Sequence, residues 1–381
     1  MPVQENPPPA DLTVPPRGVQ SAPETVELQL TGRCNLSCRY CFYADSMHGR
    51  YTDLPTERWL AFLKEMGDLG VRRVTLAGGE PFVRADLFTI IDGVVDNKMR
   101  YRLLTNGTLV TEKVISAFSE GKRSLRMDSV QVSIDGSCAE IHDKSRPPAS
   151  FNRAIRGLWL LKEAGLPVTV RVTLNHHNID DLENIARLLF DDIGLPGFST
   201  NGTEAMGTAK CEGENIVLSK EDQLRAMKIL TALNEQYNGR ISAAAGPLVE
   251  ARAVKDLEER ITRGETGIPG RGKLTSCGGV FSKMAVLHDG TMVPCNMLPK
   301  LIMGVIGMHL LREAWLYSPA INAVRLRREV PITTIPACSD CRYAGFCAGG
   351  CPASVMARTG HLIDRDPKTC YRIFIGEEAG Q

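Results

Sequence analysis

Between residues 25 and 205, short apolar runs alternate with longer stretches of helical spacing. The runs at 26–29, 73–77, 101–104, 130–134, 168–174 and 197–200 are rich in β-branched residues and predict strands. Amphipathic stretches at 56–68, 85–96, 151–164 and 179–190, with a shorter one near 111–119, predict the intervening helices. Strands joined by helical crossovers build a parallel sheet, curved or open, whose site is formed by loops at the strand C-termini. A further helix is expected over 218–237 and a charged helical stretch over 252–263, followed by a Gly-rich linker at 264–272. After the linker the pattern changes to short strands and Cys-rich loops. The expected organisation is a disordered, Pro-rich extension at 1–24, an α/β unit at 25–215, a helical bridge at 216–272 and a small unit at 273–381 held by metal more than by an apolar core.

Charge narrows the function classes. The 381 residues carry 45 basic and 44 acidic side chains, so no overall field draws the chain to nucleic acid or to an anionic membrane. No apolar run is long enough to span a bilayer, and residues 1–24 lack the basic start and apolar stretch of a signal peptide. A cytoplasmic protein is expected. Twelve cysteines then point to bound metal, because a disulfide framework belongs to small exported domains.

Cys34, Cys38 and Cys41 form a CxxxCxxC cluster just after the first expected strand. Three thiolates hold a 4Fe-4S cube by three irons and leave the fourth iron open to a small molecule. A zinc clip is the alternative, but no fourth Cys or His sits at ribbon-like spacing, His48 being the one close candidate. The loop after the second strand reads Ala77, Gly78, Gly79, Glu80, Pro81. Paired glycines let backbone approach a ligand closely, and Glu80 supplies an anion for an ammonium group; an ordinary turn is the alternative.

With both motifs at one-strand spacing, the chain resembles the radical S-adenosylmethionine (SAM) enzymes. The resemblance implies a partial (β/α)6 barrel, with a 4Fe-4S cluster on Cys34, Cys38 and Cys41 and the SAM amino group held by Gly78, Gly79 and Glu80. It implies reductive cleavage of SAM to methionine and a 5'-deoxyadenosyl radical, which abstracts a substrate hydrogen atom. Tyr40 and Phe42 are expected to shield the cluster, touch adenine or simply pack. Ser133 and Asp135, at the end of the fourth strand, match the segment that contacts the SAM ribose, with an Asp-Gly turn as the alternative. Arg146 or Arg171 would pair with the SAM carboxylate, and Arg171 is favoured because its strand places it at the barrel top or lumen.

A second array comprises Cys277, Gly290, Cys295, Cys338, Cys341, Cys347, Cys351 and Cys370. Zinc is the alternative reading of its spacings. The array resembles the SPASM domain, a C-terminal extension of peptide- and protein-modifying radical SAM enzymes that carries two auxiliary 4Fe-4S clusters. By that resemblance Cys338, Cys341, Cys347 and Cys370 ligate the distal cluster, and Cys277, Cys295 and Cys351 the nearer one. For the nearer cluster's fourth position, residues 282–294 offer only His288 and Asp289 as unusual donors. Cys138 and Cys211 belong to neither array and read as small buried hydrophobes, Cys211 being the candidate exception.

Together these resemblances imply three 4Fe-4S clusters, SAM, and maturation of a ribosomally made precursor peptide by oxidative crosslinking or by backbone rearrangement or excision. An electron donor such as flavodoxin or ferredoxin is implied, and the short N-terminal extension suggests a separate leader-peptide-binding protein. An anaerobic sulfatase maturase, which makes formylglycine, shares the loop at 38–43 but is expected to carry an acid directly after the ligand matching Cys295. Here that residue is Asn296, an amide that cannot take a proton. A non-catalytic metal-bound peptide scaffold is the reading from another class, and it has no need of Gly78, Gly79 and Glu80.

Overall fold

The computed structural model describes residues 12–47 and 52–375. Its six leading strands are β1 (Thr25–Gln29), β2 (Arg73–Ala77), β3 (Arg100–Thr105), β4 (Met127–Ser133), β5 (Val168–Leu174) and β6 (Phe198–Gly202). They pair side by side in chain order, every pair parallel. One alternation explains the layer structure. Val26 and Leu28 of β1, Val74 and Leu76 of β2, and Val170 and Val172 of β5 are buried in a core shared with Trp59, Phe62 and Leu63 of the helix Thr56–Asp68. Residues between them point to the opposite face and are polar: Glu27 is in register with Thr75, Thr75 with Arg102, and Arg171 with both Ser133 and Ser199. One face of the sheet is thus closed by helices and the other is left polar.

The sheet grows at both edges. At one, β7 (Ile241–Ala243) adds parallel to β6. At the other, β8 (Lys283–Val286) adds parallel to β1, and β9 (Thr291–Val293) and β10 (Gly304–Val305) follow antiparallel. Three strands from the expected Cys-rich unit therefore complete the main sheet, and Val286 and Met292 enter its core. What lies beyond β10 is helical and loop-rich, with the helices Leu311–Tyr317, Pro319–Leu326 and Pro352–Thr359.

Some expectations shift on contact with tertiary packing. Residues 1–11 and 48–51, the latter including His48, lie outside the described residues. The rest of the extension is tied down: Asn322 Nδ2 donates to Leu12 O and Trp315 Nε1 to Gln20 O, both at 2.8 Å, and Ala22 is buried. The helix expected over 179–190 is broken into a 3-10 turn at Ile179–Asp181, an α-helix at Leu182–Arg187 and a wide turn at Leu188–Asp192. The widening lets Leu189, Phe190 and Ile193 all reach the core. The charged helix starts earlier than expected, at Pro247, whose fixed φ suits a first helical position. Among the described residues no helix is long and apolar enough to cross a membrane.

Candidate metal and cofactor site

The loop leaving β1 carries Cys34, Cys38 and Cys41, and it lies directly against the loop leaving β2. Gly79 N donates to Thr31 O at 2.8 Å and Glu80 N to Arg33 O at 2.9 Å. This approach demands glycine. A Cβ at Gly79 would sit 2.1 Å from Arg33 O and 3.1 Å from Cys34 Cβ, while Gly78 has φ +135° and a Cβ there would meet Thr31 O at 2.6 Å. The structure thus joins two motifs that the sequence presents about forty residues apart.

Glu80 is fully buried beneath that contact. Its carboxylate accepts from Thr105 Oγ1 and Asn106 N at 2.8 Å and from Phe82 N at 3.2 Å. Burial pushes its pKa up to about 7, against the pull of these donors and of Arg146. Three bonds leave one of roughly four acceptor positions for an ammonium group. Glu80 therefore also fastens the β2 loop to the end of β3.

Asp135, expected at the SAM ribose, is bound by three protein donors. It is fully buried, and its Oδ1 accepts from Thr173 N at 2.7 Å. Its Oδ2 accepts from Arg146 Nε at 2.6 Å and from the Tyr40 hydroxyl. Arg146 Nη2 also donates to that hydroxyl, and Nη1 reaches Cys38 Sγ at 3.9 Å. Asp135, Arg146 and Tyr40 thus clamp the Cys loop to the end of β4. Arg146 is committed here, whereas Arg171, the other candidate cation, donates Nε to Ser199 Oγ at 2.7 Å. Ser133 is its register partner on β4 and is half-buried. Phe42 is exposed.

Burial raises the pKa of all three thiols of the loop, that of Cys38 to about 11, with the Arg146 cation pulling the other way. Cys34 Sγ accepts from Leu36 N at 3.4 Å. The loop is held from its far side as well: Thr208 N donates to Cys41 O at 3.1 Å, Thr208 Oγ1 to Cys38 O at 3.0 Å, and Arg39 pairs with Glu212 at 2.6 Å. Cys211 is exposed on that short helix, Thr208–Glu212, and Cys138 is half-buried, so neither is the buried hydrophobe expected.

Among the described residues no three His, Cys, Asp or Glu side chains meet around a single ion. Thiolates around a four-iron cube stand farther apart than ligands of one ion. Cys338, Cys341, Cys347 and Cys370 line one cavity, with Tyr343 and Tyr371 beside them. Burial pushes the Cys295 thiol up to about 12, with the neighbouring Cys351 and Cys277 adding to it, and Cys277 also raises the pKa of the buried Cys351 thiol. His288 and Asp289 do not join them. His288 Nδ1 bonds the Tyr43 hydroxyl at 2.9 Å and Asp289 Oδ1 accepts from Thr291 N, so both serve the β8–β9 turn beside the Cys loop.

Sequence reasoning missed one group on the polar face. Glu27, on β1, accepts from Gln29 Nε2 at 2.6 Å and from Asn296 Nδ2 at 2.5 Å, both through Oε1. Its signal was an acid set between two buried apolar neighbours, Val26 and Leu28.

Comparison with known proteins follows this geometry. Residues 28–189 match the radical SAM superfamily and residues 277–342 an iron-sulfur cluster-binding domain, SPASM. An AdoMet-dependent heme synthase of Methanosarcina barkeri is 28% identical over 366 residues, covering 92% of this chain and 97% of its own length. A PqqA peptide cyclase of Ruegeria pomeroyi is 26% identical over 368 residues, covering 95% and 89%. Among solved structures, SuiB of Streptococcus suis bound to its precursor peptide SuiA superposes with a TM-score of 0.69 at 16% identity, covering 92% of this chain and 76% of SuiB.

Proposed function

We infer the reaction from one premise: the chain is a radical SAM enzyme with a C-terminal SPASM domain. We read its six-strand parallel unit as a partial (β/α)6 barrel with the polar face as its lumen. When bound, SAM and its cluster supply a 5'-deoxyadenosyl radical that removes one substrate hydrogen atom. Cys34, Cys38 and Cys41 would hold that cluster, with Arg146 moderating the charge at Cys38. Gly78 and Gly79 offer close backbone approach to the SAM amino group, and Glu80 its remaining acceptor position. Arg171, a cation of the polar face, would meet a carboxylate of SAM, and Ser133 would offer its hydroxyl to the ribose. Cys277, Cys295 and Cys351 would hold one auxiliary cluster, and Cys338, Cys341, Cys347 and Cys370 another, for a total of three. Thiol-bound iron of this kind favours a reducing cytoplasm.

The substrate we propose is a ribosomally made precursor peptide, oxidised to a crosslink or rearranged backbone. The observation that carries this is the near full-length likeness to PqqA peptide cyclases together with the auxiliary cysteine array. A separate leader-binding protein and a flavodoxin or ferredoxin complete the proposed system. The test is anaerobic co-expression with short peptides encoded beside the gene, followed by mass spectrometry. A loss of about 2 Da, one hydrogen pair per radical event, supports the reading. SAM cleavage with every peptide mass unchanged would sink it.

A second reading is favoured by the likeness to heme synthase, which spans almost that protein's whole length. Under it, the lumen cations would meet carboxylates of a tetrapyrrole precursor. Conversion of such a precursor to heme by the purified enzyme would select this reading over the peptide one.

A further inference from the structure

The polar face of the sheet bears one carboxylate placed between the two cysteine systems. Cys34, Cys38 and Cys41 follow the C-terminal end of β1. Cys277 precedes β8 and Cys295 follows β9, so both belong to the opposite end of the β8–β9 hairpin from its turn. Because β8 runs parallel to β1, with Thr25 opposite Lys283 and Glu27 opposite Ala285, that end is the N-terminal end of β1. Glu27 lies between them on the strand.

Its surroundings are built rather than incidental. Asn296, next to Cys295, reaches across 269 positions of sequence to donate to Glu27 Oε1, and Gln29 donates to the same oxygen. Among the described residues Oε2 accepts no hydrogen bond, and it is not sealed from solvent. Burial pushes the Glu27 pKa up, while the Gln29 and Asn296 hydrogen bonds and the nearby Lys283 on β8 and Arg171 on β5 favour the ionised carboxylate. Influence from β5 on a β1 side chain also requires the sheet to curve around its polar face.

Removing a hydrogen atom from a substrate C–H leaves a radical, and its route to a dehydrogenated closed-shell product is loss of one electron and one proton. The electron needs an acceptor and the proton needs a base. We propose that Glu27 is that base: its Oε2 takes the proton, while the one-electron acceptor would be the iron-sulfur centre that Cys277, Cys295 and Cys351 would hold. Asn296 is the positioning residue that holds the carboxylate beside the acceptor. The acid absent directly after Cys295 is thereby supplied from β1. This inference rests on the radical reading of the site but not on the choice between peptide and tetrapyrrole.

The experiment uses the reconstituted holoenzyme and its Glu27→Gln variant, with the substrate identified by the mass assay. Product should fall by at least about 100-fold, the usual weight of a general base, while substrate hydrogen still transfers to 5'-deoxyadenosine unchanged. Product at the wild-type rate, or loss of both together in a variant with full iron content and native circular dichroism, would overturn the proposal. The swapped pair, Glu27→Gln with Asn296→Asp, keeps one amide and one carboxylate in contact and should restore product; a folded swap without product counts against a base at this position. A readout independent of turnover is the carboxyl infrared difference between wild type and Glu27→Gln. An ionised Glu27 at the working pH is required, and a protonated one would overturn the assignment. Failure of the wild type to form any 5'-deoxyadenosine instead refutes the radical reading itself, and the infrared measurement still decides the state of Glu27.

Discussion

Arg146 and Asp135 form an ion pair at 2.6 Å in which the carboxylate is wholly buried and the guanidinium nearly so. The pair closes around the Tyr40 hydroxyl, and so the Cys loop is anchored to the end of β4 by charge rather than by apolar packing alone. Removing one partner leaves the other charged, buried and uncompensated, which costs about 3–5 kcal/mol. Asp135→Asn is therefore expected to lower stability by that amount in anaerobic denaturant unfolding. Replacing Arg146 and Asp135 together by Met and Leu should cost much less, because no lone charge remains. Equal losses from the single and double variants would show that the pair is not what holds the loop.

Gly79→Ala tests the contact between the two loops. The added methyl would lie 2.1 Å from Arg33 O and 2.6 Å from its carbonyl carbon, both backbone atoms that cannot swing aside. Overpacking of this kind costs about 1–3 kcal/mol, taken up by displacement of the Cys loop. SAM binding should weaken at least tenfold, the equivalent of about 1.4 kcal/mol, with iron at the C-terminal cysteines unchanged. Gly70→Ala is the control: its backbone is left-handed, which Gly79's is not, but nothing lies within 4 Å of the added carbon. Wild-type SAM affinity in Gly79→Ala would mean that the loops can separate without consequence.

The order of the six strands was legible because alternation in β1, β2 and β5 is nearly unbroken, and a parallel sheet with short crossovers allows few topologies. The cysteine arrays were legible because spacing within a loop is a local property. What spacing could not reveal are relations closed through space. Arg146 meets Tyr40 across 106 positions, Asn296 meets Glu27 across 269, and β8 joins the edge of β1 although a helical bridge intervenes. An acid after a strand, such as Asp135, reads as a ligand contact, and its three protein donors come into view only in the fold. Partial legibility of this sort is expected where long-range polar contacts, rather than core periodicity, build a site.

The three cysteine sets predict separable iron contents. Replacing Cys34, Cys38 and Cys41 with Ala should remove about four irons and abolish 5'-deoxyadenosine formation while the visible absorption of the remaining clusters persists. Replacing Cys338 and Cys347 should instead empty the cavity that those residues line with Cys341 and Cys370, leaving SAM cleavage measurable. Zinc in place of iron after anaerobic purification from iron-supplemented cells would contradict both expectations.

Glu250 supplies a pH dependence remote from the cysteine loop. It sits in the first turn of the helix Pro247–Thr262, is buried, and accepts from Gln223 of the helix Lys220–Gln236. Burial pushes its pKa up to about 7, with Glu204 and Asp366 raising it further and Lys368 and the Gln223 bond opposing. A carboxyl group raised from 4.5 is bound more favourably by the folded state when protonated. Its contribution is therefore complete below about pH 4.5 and is lost as the pH climbs through about 7, amounting to about 3 kcal/mol in all. Glu250→Gln keeps an amide at the same contact and cannot ionise. The variant should match the wild type near pH 5 and exceed it by up to that amount near pH 8, read as unfolding midpoints under anaerobic conditions. Stability curves that run parallel across this range would show that Glu250 is ionised throughout, its charge carried by Lys368.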